Sequence, residues 1–124
     1  SFRCGSLALL NVAKLVGRSP ATCAVFSEAP SSQMGFTLGE LEALSVSAGW
    51  EQLAVHVSPE ATIPVPSVIN WKINHYAAII GKRGASYLVR DPTFGENHDV
   101  VIGEDALREE MSGYFLVPAG TAIE

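Results

Sequence analysis

The segment CGSLALLNVAKLV, from Cys4 to Val16, constrains this 124-residue chain more than any other stretch. At helical spacing Leu7, Leu9, Leu10, Val12, Leu15 and Val16 fall on every side, and a helix apolar nearly all round is one that other elements enclose. The chain must therefore supply enough structure to cover this helix. Its first residue is Cys4, placed where free backbone N–H groups and the positive end of the helix dipole favour an anion. Such a position lowers a thiol pKa and makes Cys4 a candidate nucleophile. It equally suits an ordinary buried cysteine, since cysteine is among the most buried residue types.

Downstream, Gly17-Arg18-Ser19-Pro20 breaks the helical pattern. Residues 21–36 read as polar and irregular, with Ala29-Pro30-Ser31-Ser32 a surface loop. Thr37 followed by Glu40 is the capping-box arrangement. Leu38, Leu41, Leu44 and Ala48 continue it as a helical stripe, and Gly49 suits the C-terminal end. From Leu53 the period becomes two: Leu53, Val55 and Val57 alternate with Ala54 and His56, which predicts a half-buried strand with His56 facing solvent. Pro59 to Pro66 reads as a connector. Further strands are expected at Val68–Trp71, His75–Ile80, Ser86–Arg90 and Val100–Ile102. A short helix at Glu104–Met111 and a closing strand at Tyr114–Val117 follow. Helices first and strands afterwards indicate α+β, with one or two helices packed on an antiparallel sheet.

By length the chain is one domain, residues 1–124, large enough to bury a core without staples. Hydrophobic residues make up 48% and charged residues 17%, which excludes a disordered tail. The net charge of −5 argues against nucleic acid and anionic membranes as partners. The late acidic residues (Glu96, Asp99, Glu104, Asp105, Glu109 and Glu110) read as a solvated face, and His98 as a turn residue. No apolar run reaches a membrane span, and no signal peptide is visible. Because the sequence opens at Ser1, three residues before its best motif, a fragment of a larger polypeptide is expected. Cys4 and Cys23 do not make a disulfide framework, although a bridge between them would remove the nucleophile. No C-x-x-C or H-x-x-x-H spacing suggests a metal site, and no phosphate-binding glycine loop is present, so neither metal nor cofactor is expected.

HYAAIIGKRGASYLVRD, from His75 to Asp91, reads as two strands around a turn. A five-residue loop GKRGA places Ile80 opposite Ser86, Ala78 opposite Leu88 and His75 opposite Asp91. Directly opposed residues in an antiparallel pair share a face and have Cβ atoms roughly 4.5–5.5 Å apart. A carboxylate beside an imidazole fixes its tautomer and stabilises the imidazolium. A four-residue loop would instead put Arg90 opposite His75 and turn Asp91 away. Singly, His75 also fits a hydrogen-bonded half-buried histidine, Asp91 a turn-opening residue before Pro92, and Trp71 either a cleft wall or a core residue.

A cysteine at a helix start followed by a His–Asp hairpin follows the logic of an activated thiol. Over essentially its whole length the sequence resembles the bacteriocin-processing, double-glycine leader cysteine peptidases. These are papain-like domains often fused to peptide-exporting ABC transporters. The segments that carry the resemblance are CGSLALLNVAKLVG, LGELEALSVSAGW, VPSVINWKINHYAAIIG, YLVRDPTFG and SGYFLVP. The Pro–strand–Trp–His–strand–Asp-Pro-x-x-Gly succession is its specific part; Cys-Gly alone is not.

The resemblance implies a papain-like α+β fold with an N-terminal nucleophile helix on an antiparallel sheet. It makes Cys4 the nucleophile, His75 the general base and acid, and Asp91 the orienting carboxylate, without cofactor. The implied substrate is a peptide or protein cut after small residues, typically the paired glycines of a leader, or the chain's own parent polypeptide. The family also uses a glutamine about six residues before the cysteine to stabilise the oxyanion; here that position falls before Ser1, leaving the Cys4 N–H as a donor. A transglutaminase- or amidase-like acyl transferase shares the Cys, His, Asp order, and a peptide-docking domain that binds without cutting is a third reading. The implied setting is the cytoplasmic face of a transporter or a large secreted or cell-surface bacterial repeat protein.

Overall fold

The first helix is enclosed, as its sequence demands, by further helices on one side and a sheet on the other. The computed structural model describes residues 3–94 and 98–122. Along the chain run α1 (Cys4–Leu15), α2 (Pro20–Glu28), α3 (Leu38–Ser47), β1 (Gln52–His56) and β2 (Ser67–Trp71). Then come β3 (Tyr76–Arg83), β4 (Ser86–Arg90), a 3-10 turn at Pro92–Phe94, β5 (Asp99–Gly103), α4 (Glu104–Glu110) and β6 (Met111–Pro118). The strands form one antiparallel sheet in the order β1–β6–β2–β3–β4–β5. The α+β class, with the first helix packed on an antiparallel sheet, is what the sequence predicted.

Alternation along the strands divides the core in two. Val68, Tyr76, Ala78 and Leu116 pack with α1 and with Phe26 and Leu41 from α2 and α3. Ile69, Ala77, Ile79, Val89 and Phe115 face the other way, against Leu107 of α4 and Ile63 of the 57–66 connector. Helices therefore cover both faces of the sheet, where the sequence predicted one or two helices on it. Arg108 fastens the connector to α4 by donating to the Pro59 and Ala61 carbonyls at 2.7 and 2.9 Å while pairing with Glu104.

Three local expectations are corrected. Residues 20–28 form α2, not an irregular stretch. Ser19 is its N-cap, accepting from the Thr22 N–H at 3.2 Å, and Pro20 occupies the first helical turn, where its missing N–H costs nothing. Only Thr22 and Phe26, four residues apart, are buried on this helix, too thin a stripe to register as periodicity. Leu15 and Val16 are exposed, at 46% and 44%, because α1 leaves its cover after Ala13. Leu53, on the edge strand β1, is likewise 41% exposed. By contrast the capping box of α3 is present in full, with Thr37 and Glu40 each bonding the other's backbone N–H at 3.1 and 2.8 Å.

Candidate active site

The site is assembled where three chain segments end. Cys4 opens α1, whose N-terminus carries no side-chain cap. Gly5 lets that end settle: a Cβ there would stand 2.8 Å from Leu41 Cδ1 and 3.3 Å from Tyr76 Cδ2. The glycine after the cysteine thus allows a close approach to Leu41 and Tyr76, a role its sequence context does not announce. Tyr76, buried and donating its hydroxyl to the Phe36 carbonyl at 3.0 Å, forms the floor. Burial and the nearby Cys4 charge push the Tyr76 pKa up to about 12, so it stays a neutral donor.

His75 is delivered by the tight turn between β2 and β3. Trp71 N–H donates to the His75 carbonyl and Asn74 N–H to the Trp71 carbonyl, both at 2.8 Å. Asn74 takes φ +60°, a left-handed conformation that asparagine tolerates better than most residues. On the other side Asp91 leaves β4 just before the 3-10 turn. Its carboxylate accepts from the Thr93 N–H at 2.8 Å, which fixes its orientation.

The ladder that brings His75 and Asp91 together is neither of the registers expected. The turn is Gly84-Ala85, with Arg83 opposite Ser86, Lys82 opposite Tyr87 and Gly81 opposite Leu88. A bulge at Ile80 then shifts the pairing, so that Ile79 faces Val89 and Ala78 faces Arg90. A tight turn without the bulge would have exchanged the two faces beyond it. The expected pairs Ile80–Ser86 and Ala78–Leu88 do not form, and His75 lies one residue outside β3. Its side chain nevertheless meets Asp91, with Nε2 2.9 Å from both carboxylate oxygens. Thr93 Oγ1 stands 3.3 Å from the same nitrogen. Arg90, the rival partner, pairs with Asp99 at 2.7 Å instead.

With Nε2 engaged by Asp91, Nδ1 is the nitrogen left for the sulfur, and Cys4 and His75 each shift the other's titration. Burial pushes the Cys4 thiol up. The imidazole, the backbone N–H of Tyr76 and the imidazolium charge more than offset this and hold it below the ordinary thiol range. The hydrogen bond to Cys4 raises His75; burial opposes it, and the Asp91 carboxylate adds to it. The result is about 9, against an ordinary 6.5. The two groups titrate as a pair, and their opposite shifts favour thiolate and imidazolium over the neutral pair. Cys4 is only 6% exposed, while the His75 and Asp91 side chains are 19% and 15% exposed.

Beyond His75 and Asp91 opens a cleft of about 290 Å³, walled by Trp71, Ile73, Ile102 and Ala106. Trp71 is thus both a packing residue of the second core cluster and a cleft wall. The other polar candidates lie elsewhere. His56 is exposed and stacks edge-on against Tyr114, ring centroids 4.9 Å apart. Cys23 is half-buried, and both cysteines are free thiols. Among the described residues no group of three His, Cys, Asp or Glu side chains is placed to hold a metal. Residues 95–97, within the expected turn before Asp99, lie outside the described residues.

No protein-family model and no curated protein sequence matches the chain. Solved structures do. A double-glycine motif protease from an AMS/PCAT transporter, solved in complex with a leader peptide, superposes with a TM-score of 0.75 at 21% identity, over 95% of this chain and 84% of that one. The N-terminal peptidase C39-like domain of a toxin secretion ATP-binding protein from Vibrio parahaemolyticus gives 0.74 at 17% identity, over 93% and 94%. The peptidase domain of Streptococcus ComA, a bifunctional ABC transporter of a quorum-sensing pathway, gives 0.72 at 15%, over 95% and 91%. At these identities the likeness is one of fold. The architecture is that of the peptidase C39-like domains.

Proposed function

We propose that residues 1–124 act as a thiol peptidase domain that cuts a peptide bond after small residues, in the manner of double-glycine leader processing. The observation that carries this reading is the His75–Asp91 pair at 2.9 Å, coupled electrostatically to Cys4 at the uncapped start of a buried helix. A likeness of fold to a protease solved with its leader peptide supports a peptide as substrate.

In this mechanism the Cys4 thiolate attacks the scissile carbonyl carbon, and the oxyanion forms at the start of α1, where the Cys4 N–H can donate to it. Collapse breaks the C–N bond as His75 gives its proton to the leaving nitrogen, leaving an acyl-thioester and a neutral imidazole. Water then loses a proton to His75 and attacks the thioester, and Cys4 leaves as the thiolate, restoring the thiolate–imidazolium pair. Asp91 keeps Nε2–H pointed at itself throughout, so that Nδ1 always faces the reacting atoms. The near-complete burial of Cys4 favours glycine immediately before the scissile bond, because a side chain on that residue would obstruct the approach of the carbonyl to the sulfur.

The test is cleavage of a peptide panel containing a double-glycine leader, read with intact-protein mass spectrometry for an acyl adduct on Cys4. Cys4→Ala should eliminate turnover while leaving peptide binding in place. His75→Ala should cost about as much, because the two act as one unit. Asp91→Asn should be severe but leave residual turnover. A wild type that binds glycine-rich peptides, cuts none and forms no adduct would make this a docking domain.

A further inference from the structure

We infer that the cleft walled by Trp71, Ile73, Ile102 and Ala106 is the subsite for the residue just after the scissile bond, selecting a large apolar side chain there. The inference deepens the peptidase reading and depends on it for the direction of the substrate. His75 and Asp91 line this cleft and Cys4 does not. As the group that protonates the leaving nitrogen, His75 must stand on the amine side of the bond. A cavity continuous with His75 on the side away from the thiol therefore receives the leaving half.

Its chemistry is specific. Ile73 is 80% exposed at the tip of a turn held by two backbone hydrogen bonds, so a bare aliphatic side chain is presented rigidly to solvent beside the imidazole. With Trp71 opposite, the walls are apolar, and at about 290 Å³ the space falls just under the roughly 300 Å³ where small-molecule sites begin. It has room for a large side chain. Glu110 stands at the rim. When the bond breaks, the leaving half departs as a neutral α-amine, which takes a further proton from water, and the Asp91 and Glu110 carboxylates are the counter-charges beside the resulting ammonium. An acidic side chain would be repelled by both.

Two measurements test this. Peptides that share one glycine-ending acyl half and carry Leu, Gly or Asp after the scissile bond should differ in kcat/KM. Leu should lead by roughly tenfold or more, the usual reward for filling an apolar pocket. Independently of turnover, leucyl-, glycyl- and aspartyl-alanine amide should bind Cys4→Ala in the same order, read by the fluorescence of Trp71 with Trp71→Phe as the control. Ile73→Ser and Ala106→Phe change exposed positions, the first removing a wall and the second filling the space, and each should collapse the Leu preference. Glu110→Gln should weaken all three amides by a similar factor. If no peptide is cut but the amides bind in the stated order, the peptidase reading fails and the pocket stands. Equal or undetectable binding of all three amides, or a Leu preference untouched by both Ile73→Ser and Ala106→Phe, overturns the subsite.

Discussion

At the scale of single residues, the site depends on what touches the sulfur and what leaves room for it. Gly5→Ala would push a methyl into Leu41, which is fully buried, and towards Tyr76, whose N–H serves Cys4. Overpacking of this kind costs about 1–3 kcal/mol, more than the helix propensity gained within a first turn. The expected result is a lower urea midpoint together with slower alkylation of Cys4 at neutral pH. The ion pair also sets the pH response. His75, raised to about 9, contributes stability fully below its ordinary 6.5 and loses it as pH climbs through 9. Cys4, lowered from 9.0, contributes above that ordinary value and loses its contribution as pH falls through its depressed one. The thiolate–imidazolium pair therefore occupies the window between the depressed thiol value and about 9. Alkylation of Cys4 should rise with pH earlier than that of an ordinary thiol, and peptide cleavage should fall on the alkaline side near pH 9. His75→Ala should return alkylation to the steep dependence of an ordinary thiol, whereas an unchanged profile would mean that the two groups do not interact.

Among the elements, those with local signals behave as their sequences say. The capping box of α3 closes two backbone N–H groups reciprocally, and Thr37→Ala should cost about 1 kcal/mol in chemical denaturation, with thiol reactivity little changed. In α2 the signal was equally local but reads two ways. Ser19-Pro20 ends one helix and starts the next, and a stripe of only Thr22 and Phe26 does not decide between them. The β3–β4 hairpin shows a different limit. Two glycines, Gly81 and Gly84, bound a plausible five-residue loop, yet only Gly84 takes a left-handed conformation, at φ +60°. Gly81 instead lies flat against Leu88, within the strand. The bulge at Ile80 keeps Tyr76 and Ala78 towards α1, with Ala77 and Ile79 towards α4. Register here follows burial on both faces, which the hairpin sequence alone does not contain.

Across the whole molecule, the two faces of the sheet carry different duties. Leu9 and Leu107 are both fully buried, one beneath α1 and one beneath α4. Truncating either to Ala should cost about 2–5 kcal/mol. At temperatures where both variants remain folded, Leu9→Ala should slow Cys4 alkylation more than Leu107→Ala does; equal effects would contradict the dependence of Cys4 on the seating of α1. The sequence by itself determined the α+β class, the enclosed first helix, the capped third helix and the strand positions. Those features are written in caps, periods and residue types that act within a few positions of one another. Tertiary structure alone decided the hairpin register, the glycine-tight approach of α1 to Leu41 and Tyr76, the second helical cover and the cleft beside His75. Each of these joins residues far apart in the chain, such as Trp71 and Ile73 with Ile102 and Ala106, and such contacts are fixed by close packing of the two core layers.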